Sequence, residues 1–295
     1  MRQPVEPNKE DCCNSGCNPC IFDVYDKQME LYKKKLACGE SGTENDEENG
    51  ISPLKYTTFE VIKNTELCNS HSLICFRKTI KDNNKVRWRP GDHFLCKYTS
   101  VESSCSRAYT PIRLDGAEES IDFSVIVKKY EQGIVSKFLF NLKEGEETAW
   151  RGPFGHYETA PNKYSRIIML AQGTGIAPFI SIIQHILNNE DDMTKIILLY
   201  CCKNIDTILL RDHLYALKSY WNFKYDIFLS DVPEISKYKY QEPINNCKLK
   251  SDYLKKLKPF SSSDQFLLCG SSQFMETYNR WLQNEISLTE NIILF

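Results

Sequence analysis

The rhythm of apolar residues in this chain changes near position 160, and that change constrains the fold more than any other feature. From 54 to about 158 the chain runs in short stretches: "YTTFEVIKN", "HSLICFRKT", "DHFLCKYT", "RAYTPIRL", "IDFSVIVKKY" and "EETAWRG". They are rich in Val, Ile, Phe, Tyr and Thr and are separated by Gly, Asn, Asp and Pro, the pattern of an antiparallel sandwich or barrel. One helical interruption, "SKFLFNL", follows Gly133. From about 164 strands alternate with helices: "SRIIMLAQ", "IAPFISIIQHILNN", "TKIILLYCC", "DTILLRDHLYALKSYW", "KYDIFLS", "SDYLKKLK", "DQFLLCG", "SQFMETYNRWLQN" and "NIILF". Alternation of this kind requires crossover connections and a parallel, doubly wound α/β sheet. The length of 295 residues suits two such domains.

A third, shorter segment precedes both. Residues 1 to 38 hold Cys12, Cys13, Cys17 and Cys20, followed by Phe22, Tyr25, Met29, Tyr32 and Leu36 at helical spacing. The polar, acidic "GESGTENDEENGISP" then reads as a linker. The expected organisation is 1–50 for the Cys-rich module and linker, 51–158 for the barrel and 159–295 for the α/β domain. The compact "CCNSGCNPC" has the ligand types for zinc or an iron–sulfur cluster, but it lacks a second C-x-x-C pair. It reads equally well as a docking element, and no metal site is assigned. The other nine of the thirteen cysteines lie mostly in apolar stretches and read as small buried residues of a reducing compartment. A net charge of −2 gives no global pull toward nucleic acid or anionic membrane. No stretch approaches the roughly 20 apolar residues of a membrane span. The opening "MRQPVEPNKEDCC" has no apolar core, so a cytoplasmic location is expected.

"IIMLAQGTGIAPFISII" places Gly173, Thr174 and Gly175 between an apolar strand and a helix, the context in which a G-x-G turn binds a nucleotide. Glycine lets the backbone turn tightly and lets a phosphate approach. The helix start offers unpaired N–H groups and a positive dipole end. Pro178 occupies the place of the third fingerprint glycine, and proline suits a first helical turn. In a parallel sheet the remaining contacts come from the carboxyl ends of neighbouring strands. Asp231 ends "IFLSD", and Cys269-Gly270 end "DQFLLCG". A carboxylate at Asp231 can accept from a ribose diol and repel a 2′-phosphate, favouring NADH over NADPH. A cap or turn role for it is equally open.

"SRAYTPI", "GIVS", "RGPFG", "GTGIAP" and "LCGSSQFM", in that order, resemble the ferredoxin–NADP reductase superfamily, and within it the NADH–cytochrome b5 reductases. The likeness runs from about 54 to Phe295. The segment "CCNSGCNPCIFDVYDKQMELY" is similar to an oxidoreductase-like N-terminal module found on the cytochrome b5 reductase-like branch. The resemblance implies an antiparallel FAD barrel followed by an NADH domain. Arg107, Ala108, Tyr109, Thr110 and Pro111 fall on the R-x-Y-T flavin motif, with Arg107 toward an FAD phosphate and Thr110 beside the reactive flavin nitrogen. Ile126 and Lys128 match a strand lining the flavin, and Gly133, Ile134, Val135 and Ser136 match a second phosphate site. Gly173, Thr174, Gly175, Ala177, Pro178, Asp231, Cys269, Gly270, Met275 and Phe295 complete the implied cofactor contacts. Thr110 and Cys269 stand nearest the chemistry, Cys269 shaping the nicotinamide pocket rather than acting as a nucleophile. His93 matches a structural histidine of the barrel.

Five positions depart from that pattern. Ile134 and Val135 replace a Lys and a Met, Ala177 replaces a Thr, and Ser271-Ser272 replace two prolines, which is expected to loosen that loop. The implied reaction is transfer of electrons from NADH through FAD to a one-electron acceptor, an acidic haem protein such as cytochrome b5. Quinones or ferric complexes are alternative acceptors, and a non-catalytic flavin scaffold is an alternative role. Arg77, Lys78, Lys81, Lys85, Arg87 and Arg89 face one acid, Asp82, and can steer an acidic partner or form a solvated hairpin tip.

Overall fold

The structure is a computed structural model. It describes residues 49–231, 238–285 and 289–295, apart from 69, 81, 83, 101–103, 115 and 117, together with 6, 7, 22, 25, 26, 29, 30, 32 and 33. Cys12, Cys13, Cys17, Cys20, Leu36 and Lys81 lie outside the described residues. Phe22, Tyr25, Met29 and Tyr32 are helical and half-buried, whereas Asp26, Glu30 and Lys33 are exposed, as an amphipathic stripe requires.

The chain divides into two compact units, one built on residues up to 156 and one on 157–295. The first contains β1 (Thr57–Cys68), β2 (His71–Lys78), β3 (His93–Thr99), β4 (Ser104–Tyr109), β5 (Phe123–Lys128), helix α1 (Ile134–Phe140) and β6 (Glu147–Phe154). Its strand order is β4-β3-β6-β1-β2-β5, with antiparallel pairing. The segment that follows β4 also reaches β5 at one bridge. Ile112 and Ser124 exchange both backbone hydrogen bonds, at 2.8 and 2.9 Å, so the sheet closes into a barrel. The bridge shortens the free edges that an isolated antiparallel sheet would expose. Phe59, Phe76, Phe94, Phe123 and Trp150 fill the interior. Phe123 meets Phe59 and Phe94 edge-on, each at 5.0 Å. Such pairs add about 0.5–1.5 kcal/mol beyond the apolar area they bury. The Trp150 indole N–H donates to Thr148 Oγ1 at 2.7 Å, and that hydroxyl donates to the Phe59 carbonyl at 3.1 Å. The core therefore holds no stranded indole.

The second unit contains β7 (Arg166–Gln172), α2 (Ala177–Leu187), β8 (Lys195–Cys202), α3 (Arg211–Leu217), β9 (Phe223–Leu229), β10 (Ile244–Asn245), α4 (Ser251–Lys255), β11 (Asp264–Cys269), α5 (Ser272–Glu285) and β12 (Ile292–Leu294). The strand order is β10-β9-β8-β7-β11-β12, all parallel. Both alternating sets of β7 residues are buried, so helices cover both faces. Ile168 and Leu170 share a cluster with Leu254 of α4 and with Phe274, Tyr278 and Leu282 of α5. At the amino ends of the strands Arg166 grips Asp264 with two bonds, Nε to Oδ1 at 2.8 Å and Nη2 to Oδ2 at 2.7 Å. The chain starts at β7, winds outward through β8, β9 and β10, then crosses to β11 and β12. The order therefore reverses between β7 and β11.

Two expectations need correction. The single helix expected over 206–221 is broken: a short turn, Ile205–Thr207, is followed by an extended Ile208 and a left-handed Leu210, φ 54°, before α3 begins. Cys247 is exposed rather than buried. Among the described residues no helix is long and apolar enough to cross a membrane.

Candidate functional site

In the barrel unit the seam between β4 and β5 gathers the residues singled out from sequence. Arg107, Ala108 and Tyr109 end β4, and Thr110 and Pro111 lead into the Ile112–Ser124 bridge that ties them to β5. β5 carries a buried Ile126 and a half-buried Lys128. Helix α1 packs against β3, β4 and β5, with Val135 and Leu139 in the core and Ile134 exposed. Arg107 donates to the Ser106 carbonyl at 2.8 Å and meets no carboxylate among the described residues. Lys128 lies over the Tyr130 ring, 5.2 Å from its centroid. A guanidinium and an ammonium at one seam, without acidic partners there, fit a diphosphate. Tyr109 packs edge-on to Trp150 at 5.9 Å. Burial pushes its phenol well above the usual range, so it stays a neutral donor. His93 is pushed down to about 4, by burial first and by His156 second, and is a neutral structural ring at physiological pH.

The Ser136 hydroxyl is turned inward: it accepts from Tyr130 N–H at 3.3 Å and donates to the Gly133 carbonyl at 3.4 Å. The basic segment is also partly neutralised within the fold. Arg77 pairs with Glu60 at 3.1 Å, and Lys78 pairs with Asp82. Lys85, Arg87 and Arg89 alternate outward, with Val86 buried between them.

In the sheet unit the strand order reverses between β7 and β11, and ligands of open α/β sheets bind outside the carboxyl ends of the strands at such a point. Gly173, Thr174 and Gly175 follow β7 there, and Cys269, Gly270 and Ser271 close β11 across from them. Gly173 adopts φ 54°, a left-handed turn that an L side chain would strain, and a Cβ on it would meet nothing within 4 Å. Its backbone is therefore open to a ligand. Gly175 is the opposite: a Cβ there would overlap the Cys269 carbonyl oxygen and stand 2.9 Å from Gly270 N. Ala177 and Pro178 are the first two residues of α2, whose N–H groups face the turn. Both are buried.

Burial pushes the Cys269 thiol up to about 12. It is a neutral thiol and no nucleophile. Met275 lies in the first turn of α5, its N–H bonded to the Ser271 carbonyl at 2.9 Å. Phe295 N–H donates to the Leu268 carbonyl at 3.0 Å, and its ring stands edge-on to Tyr157 at 5.5 Å and Phe179 at 5.7 Å. Asp231 is exposed just past β9, two strands from β7 and so about 10 Å away along the same edge. In the loop after β11, Ser271 supplies two hydrogen bonds of its own. Ser271 Oγ accepts from Phe274 N–H at 3.3 Å, capping α5, and donates to Gln172 Oε1 at 2.7 Å.

Two residues here carry no local mark in the sequence. Gln172 holds Ser271, as just described. Tyr200 sits fully buried in β8 and donates to the Gly173 carbonyl at 3.0 Å while accepting from Leu209 N–H at 3.3 Å. That bond anchors the glycine turn and helps explain the break ahead of α3. Its signal was a lone phenol in "IILLYCC", too weak to separate from core packing.

Residues 58–159 match the oxidoreductase FAD-binding domain and 169–280 the oxidoreductase NAD-binding domain. Residues 1–40 match the oxidoreductase-like protein N-terminal family. The NADH-cytochrome b5 reductase-like protein of Homo sapiens is 31% identical over 95% of this chain and 90% of its own length. The chain belongs to the NADH-cytochrome b5 reductase-like family. The corresponding protein of Mus musculus is also 31% identical, over 99% of the chain and 95% of its own length. The cytochrome b5 reductase domain of Ulva prolifera nitrate reductase superposes with a TM-score of 0.70 at 24% identity, covering 84% of this chain and all of that domain. As a member of the cytochrome b5 reductase-like family, the chain is an oxidoreductase with one domain for FAD and one for NAD.

Proposed function

We propose that this chain oxidises NADH and passes the electrons through FAD to a one-electron acceptor, a cytochrome b5-type haem protein. The observation that carries this reading is the switch point of the parallel sheet, where the open Gly173 backbone and the start of α2 face the Cys269–Ser271 loop. FAD, when bound, accepts hydride from NADH and releases electrons singly. The residues of this chain do the positioning. Arg107 and Lys128 neutralise the FAD diphosphate. Tyr109 and Thr110 offer hydroxyls beside the seam, with Ala108, Pro111 and Ile126 shaping it. Gly133 to Ser136 lie beside that diphosphate through their backbone. Gly173 to Pro178 receive the diphosphate of NADH, and Asp231 accepts from its adenosine ribose and disfavours NADPH. Cys269, Gly270, Met275 and Phe295 line the nicotinamide end. Cys269 is a neutral thiol at physiological pH, so it excludes water without competing as a nucleophile.

Two further observations support the finer parts. Lys85, Arg87 and Arg89 point outward from one extended stretch, a surface complementary to an acidic haem protein. All eight described cysteines are free thiols, which suits a reducing, cytoplasmic setting. The test uses the purified full chain. It should bind FAD, and the flavin should bleach anaerobically with NADH and far less with NADPH. Mixing with oxidised cytochrome b5 should then reduce the haem, more slowly at high salt. A chain that takes up no FAD, or whose flavin NADH leaves oxidised, rules the reading out.

A further inference from the structure

Gln172 and Ser271 stand on opposite sides of the switch-point crevice, one ending β7 and the other following β11. Gln172 Oε1 accepts two hydrogen bonds from Ser271, from its N–H at 3.2 Å and its hydroxyl at 2.7 Å. A backbone N–H can only donate, so it fixes which end of the amide faces Ser271. The two N–H bonds of Gln172 Nε2 then point elsewhere, and they reach no acceptor among the described residues. The side chain is exposed, so those donors are open to a ligand. Its stem is held as firmly as its head. Gly270 lies so close that a Cβ added there would come within 2.8 Å of Gln172 Cβ. Ser271 is itself fixed by capping α5.

The result is a pre-oriented, neutral pair of donors next to Gly173, whose open backbone leads to the start of α2. A group held this way loses little freedom on binding. We propose that Gln172 is a dinucleotide-binding residue: Ser271 turns its amide so that the NH2 donates to a diphosphate oxygen of NADH. This rests on the nucleotide site assigned above. It makes the Gln172–Ser271 pair part of that site rather than a loop staple.

Glutamate at 172 separates the two roles. It can still accept both bonds from Ser271, but it has no donor and brings a negative charge toward the diphosphate. Gln172→Ala loses the bridge and the donor without adding charge. The full chain loaded with FAD is assayed with NADH and ferricyanide, and ADP-ribose serves as a competitive probe that lacks nicotinamide. Expected are a KM for NADH and a Ki for ADP-ribose raised about tenfold in Gln172→Glu and about threefold in Gln172→Ala, with kcat within about twofold. Both constants should rise together, because both ligands carry the diphosphate. Ser271→Ala, which keeps the glutamine but frees it to rotate, should raise KM by about two- to threefold. The inference is overturned if Gln172→Glu stays within about twofold of the parent, or if Gln172→Ala is the weaker binder, the order a mere bridge produces. A parent chain that NADH does not reduce removes the assigned site as well. Parent turnover with unmoved variants removes this inference alone.

Discussion

Gly133 opens α1 in the barrel unit, and Gly173 opens the turn before α2 in the sheet unit. Gly133 keeps an ordinary extended backbone, φ −85°, and is small because Ser136 Oγ occupies the space a Cβ would need. Gly173 has free space around it and is glycine because φ 54° demands it. One is a packing glycine whose neighbour turns its hydroxyl inward. The other bends the chain and leaves its face uncovered. A helix start read from sequence as a phosphate cradle can therefore be built in two ways, and only the second leaves its turn bare for a ligand. In the function proposed, the barrel would meet its diphosphate with the cations Arg107 and Lys128. The sheet unit would use bare backbone, a helix start and a neutral amide.

The largest expected effect comes from closing the sheet-side turn. In Gly175→Ala the new methyl overlaps the Cys269 carbonyl oxygen and lies 2.6 Å from its carbon. Those are strand-end backbone atoms, so the turn or β11 must shift. The cost is about 3 kcal/mol, at the upper end of overpacking. NADH turnover should collapse while FAD stays bound, because the barrel is untouched. Flavin content and a denaturant melt on the same sample check both halves. Loss of FAD together with NADH would erase the contrast between the units.

The barrel can be loosened by acid instead. His93 titrates near 4 when folded, chiefly through burial, against about 6.5 unfolded. Below the unfolded value the unfolded chain binds the extra proton, so His93 adds its full stability only above about pH 6.5 and loses it as pH falls toward 4. From about pH 7.5 to about pH 5 the loss is about 2 kcal/mol. His71 is shifted in the same direction by burial and Lys128. His93→Gln should flatten the slope in denaturant melts followed through FAD release. An unchanged slope would place the acid sensitivity elsewhere.

Much of this was legible in the sequence because it rests on local rules. Six β-rich stretches became six barrel strands, and alternation became a parallel sheet, since period and turn residues dictate both. The glycine turn was legible from its strand–turn–helix context. Contacts across distant segments were not. Nothing local marks Tyr200 as the partner of Gly173, 27 residues away, or Gln172 as that of Ser271, 99 residues away. The same holds for Leu210, whose left-handed backbone interrupts a stretch with helical periodicity. Ser271 also shows what a residue type alone does not tell: a hydroxyl that caps a helix restrains its loop by hydrogen bonding, where a proline ring restrains by geometry.

The smallest effects test the contrast between Gly133 and Gly173 most directly. Gly133→Ala places a methyl on Ser136 Oγ, which a change of rotamer can move, and 3.1 Å from Tyr130 Cβ, a tight contact that moves only with its backbone. The expected cost is about 1–2 kcal/mol. Adding Ser136→Ala should recover part of it, because the obstructing oxygen is gone. Gly173→Ala meets no atom at all, so only the left-handed backbone resists, at about 1 kcal/mol. No second-site change should relieve that, since no neighbour causes it. The functional readouts should diverge the other way: Gly173→Ala should weaken NADH binding more than Gly133→Ala weakens FAD binding, because the new methyl at 173 stands in the space left to the ligand. Urea melts of the three variants, with dissociation constants for FAD and for ADP-ribose, measure both. If Ser136→Ala restores nothing to Gly133→Ala, the hydroxyl is not what makes that position glycine.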